Sequence, residues 1–430
     1  MGMDFGTSLR LYKRPEIQKE LVEAAKDKEV AVKFGDAGFG KRPDVLLYPS
    51  DVLEFAKQKA TSFHLSEELW KNPLQLNPLM KKQEIDELRK GWDLIIDVDC
   101  PFLEYSQIAA DLIVKALKHH GISAVSAKFS GNHGFHIAVP FESFPDKVHG
   151  IETKTLFPEG ARKIALYLKE MISDHLAETI LKKEDIDKII RKTGKTFQEL
   201  VPNGRFDPFK ILSIDTLLIS SRHLYRAPYS INEKSGLVSI PIDPDKILEF
   251  DKKMAEPDRV QISKFKFLDR TVAKKGEASK LIISAFDFKP NIEIEEIKEK
   301  KEFIAPEKAI PEEYFPPCIK LILRGLKDGK KRSMFILVNF LVSCGWSYDQ
   351  IEEKLKEWNK RNEEPLRDVL LIGQIRYHRQ QKKKVLPPNC NNGMYYKDFH
   401  VCQPDNLCAR IKNPVQYVRR KVGNISKNKK

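Results

Sequence analysis

Two aspartates separated by one residue end an apolar run early in the chain. Residues 94–99 read Leu-Ile-Ile-Asp-Val-Asp, which predicts a buried strand. Because side chains alternate along a strand, the carboxylates of Asp97 and Asp99 lie on the same face, where they repel each other. A divalent cation between them relieves that repulsion, so the pair predicts a Mg²⁺ or Mn²⁺ site suited to a phosphate substrate. Two solvated acids at a strand end are the alternative.

A glycine-containing turn follows between two predicted strands, one of them ending near residue 129 and the other covering 137–139. Residues 129–136 read Phe-Ser-Gly-Asn-His-Gly-Phe-His. The glycines let backbone amides approach an anion closely, Ser130 supplies a hydroxyl, and His136 can donate a hydrogen bond to a phosphate oxygen. A glycine-rich hairpin with a core histidine is the alternative.

A third candidate carboxylate ends another short apolar stretch, Ser-Ile-Asp at 213–215, ahead of Arg-His-Leu-Tyr-Arg-Ala-Pro-Tyr-Ser at 222–230. Asp215 could complete a triad of acids, and the guanidinium of Arg226 suits phosphate geometry. Asp207 competes for the role of third acid, but Pro208 beside it argues against a continuous strand there. An ordinary surface loop with a salt bridge is the alternative.

These three elements, in this order, resemble the catalytic small subunit of the archaeo-eukaryotic primase family over roughly residues 40–245. The resemblance implies an α+β domain with a primase/RRM-like mixed sheet and flanking helices. It implies that three acids are catalytic and hold two divalent metals (Mg²⁺ or Mn²⁺): Asp97, Asp99 and Asp215. It also implies a set of residues that contact the incoming nucleotide: Ser130, His133, His136, Arg226 and Asn232.

The chain departs from that family pattern in three places. Asn132 and His133 occupy the turn where the family often has basic residues, and Asn232 stands where a histidine often follows. Cys100 is the only cysteine before Cys318, so the small subunit's usual zinc knuckle is missing. The nucleotide contacts at these positions therefore cannot be carried over unchanged.

Four cysteines form a second candidate site: Cys318, Cys390, Cys402 and Cys408. Four thiolates can hold zinc or an iron–sulfur cluster, and the lack of tight C-x-x-C pairs disfavours a zinc ribbon. With Pro-Pro-Cys at 316–318 and Asn-Pro-x-x-Tyr at 413–417, the segment of about 314–420 resembles the C-terminal domain of the primase large subunit. The resemblance implies a [4Fe–4S] cluster on these four, with zinc as the alternative. Cys344 is expected to be a core thiol.

The pattern along the chain predicts a catalytic domain over 1–250, a charged linker over 251–312, a mostly α-helical iron–sulfur domain over 313–420 and a disordered basic tail over 421–430. Strands are expected at 29–34 and 44–48, and helices over 15–27, most of 50–90, and 106–119. Residues 35–41 fit the P-loop spacing, but Arg42 and Pro43 replace the Ser/Thr and helix that a P-loop needs. A nucleotide-hydrolysing P-loop is therefore rejected.

The net charge of +14 predicts an anionic partner, with nucleic acid the first candidate. No apolar run is long enough to span a membrane and the N-terminus lacks a signal-peptide core, so a cytoplasmic protein is expected. Two basic groups could hold template, with Tyr377 and Tyr395 as stacking candidates: Lys327, Lys330, Lys331 and Arg332; Arg376, His378, Arg379 and Lys382–Lys384. Solvated helix faces are the alternative.

Together these features predict a single-chain DNA primase that starts and extends primers on single-stranded DNA. It would use NTP or dNTP, work by two-metal nucleotidyl transfer, act as a monomer and have possible replisome partners. A primase-polymerase that extends an existing RNA or DNA primer for repair or plasmid replication is one alternative. A non-catalytic nucleic-acid-binding protein with a structural metal domain is another.

Overall fold

The computed structural model describes residues 5–77, 80–216, 219–289, 306, 309–380, 385–392, 395–398 and 400–428. The chain divides into two compact units, Met1–Pro290 and Asn291–Lys430. In these described ranges, none of the helices combines the length and the apolarity that crossing a bilayer requires.

The first unit is a mixed α/β structure. Its helices are α1 (Phe5–Tyr12), α2 (Pro15–Ala24), α3 (Pro49–Lys57), α4 (Lys82–Leu88), α5 (Leu103–His119), α6 (Glu159–Lys183), α7 (Ile186–Thr193), α8 (Phe197–Leu200) and α9 (Ser279–Asp287). Its strands are β1 (Val30–Lys33), β2 (Ser62–Ser66), β3 (Glu68–Trp70), β4 (Arg89–Trp92), β5 (Leu94–Asp99), β6 (Ser126–Phe129), β7 (Phe135–Val139), β8 (Lys147–Val148), β9 (Ile151–Glu152), β10 (Ser213–Ile214), β11 (Leu224–Arg226) and β12 (Pro241–Ile242).

The central sheet has five strands in the order β10-β5-β7-β6-β12. The chain leaves β5, crosses through α5 to β6, and returns as β7 between the two. All the described pairings in this sheet are antiparallel, so the expectation of a mixed sheet is wrong. The reason is that the tight β6–β7 turn places an antiparallel strand between β5 and β6, which run in the same direction but do not pair.

A second sheet, β1-β2-β11, is also antiparallel. The expectation that 50–90 is mostly helical is wrong, because β2, β3 and the start of β4 lie in that segment. Cross-strand partners provided by β1, β11 and β4 override the helix-favouring Glu, Lys and Leu there. The expected strand at 44–48 is limited to one bridge between Val30 and Asp44. The two short remaining ladders are β3-β4 and β8-β9.

Helices cover the central sheet. The predicted 106–119 helix is confirmed as α5, which packs on β7 and on α6, and α6 in turn packs on α9. In α9, Leu281, Ile282 and Ala285 are buried. The prediction that the linker starts at 251 is therefore wrong, since residues 251–289 fold with the first unit, where a short apolar face outweighs the surrounding charge. Residues 290–305 and 307–308 of the predicted linker lie outside the described residues.

The described secondary structure of the second unit is helical: α10 (Pro317–Leu323), α11 (Lys330–Ser343), α12 (Tyr348–Lys360), α13 (Asp368–Gln380) and α14 (Pro414–Asn428). Helix α11 is its centre, because its residues from Ile336 to Ser343 are all buried. Cys344 follows α11 and is fully buried, which confirms it as a core thiol. Helix α14 covers most of the segment expected to be a disordered tail, so that expectation is wrong as far as Asn428.

Candidate active site and cysteine cluster

The three predicted acids meet on neighbouring strands of the central sheet. Asp97 and Asp99 end β5, and Ser213 of β10 stands opposite Asp99. The register continues one step past β10, where the N–H of Asp215 donates to the carbonyl of Asp97 at 3.1 Å. Residues directly opposite on paired strands share a face. The structure therefore places Asp215 beside Asp97.

Asp207, the competing third acid, has a local structural role instead. Its Oδ1 accepts a hydrogen bond from the N–H of Phe209 at 2.9 Å and begins the turn Pro208–Lys210. Its carboxylate also lies 3.8 Å from Lys210 Nζ. Both contacts explain Asp207 as the cap of a turn.

Crowding of acids changes the proton affinity of Asp97. Its withdrawal from water, the Asp99 carboxylate and the Asp215 carboxylate together raise the pKa of Asp97 to about 7, against a smaller opposing effect of Lys128. The Asp97 side chain is still 48% exposed, so water and cations can reach it. Within the described residues, no three His, Cys, Asp or Glu side chains stand as a preformed metal-ligand group. The acids are thus adjacent and mutually repelling but not closed around one point, and a divalent cation is the kind of ion that would relieve the repulsion.

The row of charged residues continues across the sheet. His136 of β7 stands opposite Asp97, and Lys128 of β6 stands opposite His136. His136 Nε2 lies 3.5 Å from Asp97 Oδ1, and the His136 side chain is 7% exposed. Burial, together with the cations of Lys128 and Arg226, keeps the pKa of His136 well below its ordinary value. His136 is therefore a neutral hydrogen-bonding group beside the acids.

The turn between β6 and β7 is tightly built. Gly131 has φ +99°, and a Cβ there would meet Asn232 Cβ at 2.9 Å. A Cβ on Gly134 would stand 2.1 Å from the carbonyl oxygen of Val98. The N–H of Gly134 donates to Ser130 Oγ at 3.3 Å. Glycine at these two positions lets the turn lie directly against β5 and against the loop that carries Asn232.

Basic groups of the second sheet lie near the acids. Arg226 of β11 pairs in register with His64 of β2, and its guanidinium contacts Glu233 Oε2 at 2.9 Å. Burial opposes ionisation of Glu233, but Arg226 holds the pKa of Glu233 at about 2. Burial and Arg226 lower the pKa of His64 to about 3. Arg226 is thus ion-paired, and a phosphate would have to compete with Glu233 for it.

Two further residues expected to contact nucleotide lie at the turn. His133 Nδ1 is 2.9 Å from Lys252 Nζ, and burial together with Lys252 lowers the pKa of His133. Asn232 accepts the N–H of Lys234 on Oδ1 at 3.0 Å. Both residues are near Ser130, so the structure groups the predicted nucleotide contacts around one turn.

In the second unit the four predicted cysteines line one cavity of about 100 Å³. Cys318 lies in the first turn of α10, and the N–H of Cys390 donates to the carbonyl of Lys412 at 2.9 Å. Burial, then Cys390, Cys408 and Cys402, raise the pKa of the Cys318 thiol. Burial and two of the other cysteines raise the pKa of Cys390 to about 11. The four thiols are close enough to interact electrostatically, as a shared metal or cluster site requires.

Polar contacts hold the segments that carry these cysteines. Asp405 Oδ1 accepts the N–H of Cys408 at 3.1 Å, and Asp405 Oδ2 accepts the hydroxyl of Tyr417 at 2.6 Å. The Tyr396 hydroxyl, beside the cavity, donates to the carbonyl of Pro388 at 3.0 Å. All six cysteines are free thiols. The cavity walls are therefore fixed without a disulfide.

Comparison with known proteins assigns both units. Residues 308–430 match the family model of the C-terminal domain of the eukaryotic and archaeal DNA primase large subunit. The DNA primase small subunit PriS of Pyrobaculum islandicum is 30% identical over 188 residues, covering 37% of this chain and 55% of that protein. PriS of Pyrobaculum calidifontis is 26% identical over 203 residues, covering 40% and 58%. The chain unites sequences similar to both primase subunits. The resemblance based on the motifs is thus confirmed.

These matches have definite limits. The chain spans a little over half the length of the small subunits it matches, 55% and 58%. The polymerase domain of Mycobacterium tuberculosis ligase D in complex with DNA is 13% identical and aligns over 66% of this chain and 90% of its own, with a TM-score of 0.37. A score this low supports neither a fold assignment nor a function.

Two polar residues near the acids were missed by sequence reasoning. His223 Nδ1 lies 2.7 Å from Glu67 Oε1, and the hydrogen bond to Glu67, against burial, raises the pKa of His223. Lys128 is fully buried on the same face as His136. Alternation would have found Lys128, because Ser126, Lys128 and Ser130 alternate with apolar residues. No local pattern identifies His223.

The basic groups of the second unit are largely paired with acids. Arg332 lies 2.7 Å from Asp398, and Arg379 lies 2.6 Å from Asp349. Lys327 and Lys330 lie within 4 Å of glutamates at 3.3 and 3.8 Å. Lys382–Lys384 and the side chain of Tyr377 lie outside the described residues. The described pairs favour solvated helix faces for these groups.

Proposed function

We propose that this chain is a DNA primase that starts and extends short primers on single-stranded DNA by nucleotidyl transfer. The observation that carries the proposal is the register of Asp215, Asp97 and Asp99 on one sheet face, in a chain similar to both primase subunits. Phosphoryl transfer depends mainly on charge neutralisation and in-line positioning. An acid cluster beside a glycine turn is suited to both.

The three acids are the proposed ligands of two divalent metals, Mg²⁺ or Mn²⁺. The raised pKa of Asp97 supports this, because repelling carboxylates gain most from a cation. When bound, the metals would lower the pKa of the attacking 3′ hydroxyl and neutralise charge on the triphosphate and the departing pyrophosphate. Metal binding is thus assigned to Asp97, Asp99 and Asp215, and Asp207 remains a turn cap.

The chain's own residues would hold the nucleotide. The turn at 130–134 offers the Ser130 hydroxyl and backbone amides at a place where glycine permits close approach. Neutral His136, 3.5 Å from Asp97, can donate one hydrogen bond toward a phosphate oxygen. Arg226 would join these contacts by exchanging Glu233 for a phosphate, which guanidinium geometry favours.

The four cysteines are the proposed ligands of a [4Fe–4S] cluster. Their sulfurs line a shared cavity of about 100 Å³, and within the described residues no three of them form a preformed single-ion site. A single zinc ion would need all four sulfurs at about 2.3 Å from one centre. A cavity ringed by four thiols suits a cluster better. Anaerobically purified protein should be brown with broad visible absorption; a colourless protein with stoichiometric zinc would contradict this assignment.

The deciding experiment is oligonucleotide synthesis on single-stranded DNA with Mg²⁺ or Mn²⁺, with and without a primer. A primase forms products in both arms, whereas a primer-extending enzyme forms them only with a primer. The Asp215→Asn variant should lose synthesis while Asp207→Asn retains it. If wild type incorporates no nucleotide but binds DNA, the chain is a non-catalytic nucleic-acid-binding protein.

A further inference from the structure

Lys128 is a buried cation on the polar face of the central sheet. Its side chain has no exposed surface, and its Nζ donates to Ser239 Oγ at 2.7 Å. The Ser239 hydroxyl in turn donates to the carbonyl of Phe129 at 2.7 Å, which leaves its oxygen free to accept from the lysine. The rings of Tyr225 and Phe267 lie 5.8 and 5.3 Å from Nζ. The amine is thus fixed in place.

No carboxylate among the described residues forms an ion pair with this lysine. The other fully buried lysine, Lys28, by contrast contacts Asp93 at 2.7 Å. A buried amine without an acid is unfavourable for folding. Stability alone therefore does not explain a lysine at this position.

The position of Lys128 suggests what its charge does. It stands opposite His136, one strand further from Asp97, and two residues before Ser130 on the same strand face. Burial and Arg226 lower the pKa of Lys128, while Asp97 raises it. A polyphosphate bound over this face would act in the same direction as Asp97 and favour the charged amine. Lys128 is the one fully buried cation in the row of described residues that leads from the acids to the turn.

We propose that Lys128 is a positioning residue of the nucleotide site, whose buried amine favours a polyphosphate on the turn at 130–134. The inference rests on the proposed function. The turn itself carries Asn132 and His133, neither with a permanent charge, so a cation beneath it would take over their missing role. Lys128 would act through space and through His136, since it has no surface with which to touch a substrate. In this low-dielectric surrounding, salt screens its charge less than that of a surface lysine.

The test compares Lys128→Met with wild type in the full-length protein. Methionine keeps the apolar stem and removes the charge, so Tm should rise. The KM for NTP should rise about tenfold, as expected for one lost charge at an effective dielectric near 20. Affinity for inorganic tripolyphosphate, which has no base or sugar, should fall by the same factor. The kcat at saturating nucleotide and the affinity for single-stranded DNA should stay unchanged.

Three further variants make the result decisive. Lys128→Arg keeps the charge and should keep tripolyphosphate affinity, and Lys128→Gln serves if the methionine variant does not fold. Lys182→Met removes a charge from a side chain that is 80% exposed and should change nothing. If tripolyphosphate affinity and the KM stay within twofold of wild type in folded neutral variants, Lys128 has only a structural role. If wild type makes no product, the proposed function fails, yet the tripolyphosphate comparison still decides the role of Lys128.

Discussion

The Asp97→Asn substitution should make the metal-free protein more stable while abolishing synthesis. In the folded protein, loss of solvent, Asp99 and Asp215 raise the pKa of Asp97 from 3.8 to about 7. The folded state therefore holds a proton that the unfolded state releases between about pH 4 and 7. Because the folded-state pKa is raised, stability falls as pH increases through that window, and above pH 7 the wild type bears the whole penalty.

The size of the effect follows from the shift and the exposure. A shift of about three units corresponds to about 4 kcal/mol if nothing screens it. The Asp97 side chain is 48% exposed, so solvent reduces this to on the order of 1–2 kcal/mol. For a unit of this size each kcal/mol moves Tm by about 2–4 °C. The asparagine variant should therefore melt a few degrees above wild type at pH 8 with EDTA, and at the same temperature near pH 4.

Metal addition provides the matching control. Millimolar Mg²⁺ or Mn²⁺ should raise the Tm of wild type and leave Asp97→Asn nearly unchanged, because one ligand is gone. The Asp207→Asn variant should lose about 1 kcal/mol of stability through its turn cap but respond to metal as wild type does. A Tm of Asp97→Asn below that of wild type in EDTA at pH 8, or an equal response of both proteins to metal, would refute the proposed repulsion among the acids.

Three other outcomes are expected. Gly134→Ala should destabilise the protein by about 3 kcal/mol or more and abolish synthesis, because its Cβ would stand 2.1 Å from a carbonyl of the adjacent strand; Gly373→Ala, where a Cβ meets nothing within 4 Å, should be neutral or stabilising by thermal melting. Cys318→Ser should remove visible absorption and bound iron, whereas Cys344→Ser should keep both, as measured by spectroscopy and iron assay. Lys28 and Arg270 hold the pKa of Asp93 at about 2 against burial, so the stability that Asp93 contributes is present above about pH 4 and should be lost as pH falls toward 2, which acid-denaturation curves can test.

Local patterns were enough to predict the acids and the turn. Alternation and an apolar run determine β5, and a strand that must end at Asp99 needs no knowledge of the rest of the fold. Asp215 was predictable only through the family resemblance, because its neighbour Asp97 is more than a hundred residues away in sequence. The adjacency itself comes from the pairing of β10 with β5. The roles of these residues as ligands stay predictions.

Other features depend on tertiary context. Residues 50–90 are rich in helix-favouring residues, yet β2 forms there because β1 and β11 supply partners on both sides. His223 is near the acids only because Glu67 anchors its loop at 2.7 Å. Helix α9 has a short apolar face that is visible only once α6 is there to cover it. In each case the deciding contact lies far away in sequence.

The charges of the two sheets predict an order of binding. Asp97, Asp99 and Asp215 on the central sheet would repel a triphosphate, and Arg226 on the second sheet is already neutralised by Glu233. Lys128 alone cannot offset three carboxylates. Divalent cations would reverse the sign of the central face, after which a phosphate could displace Glu233 from Arg226. Nucleotide affinity should therefore depend on metal even in a binding assay without turnover, and equal affinity in EDTA and in Mn²⁺ would show that the acids do not face the triphosphate.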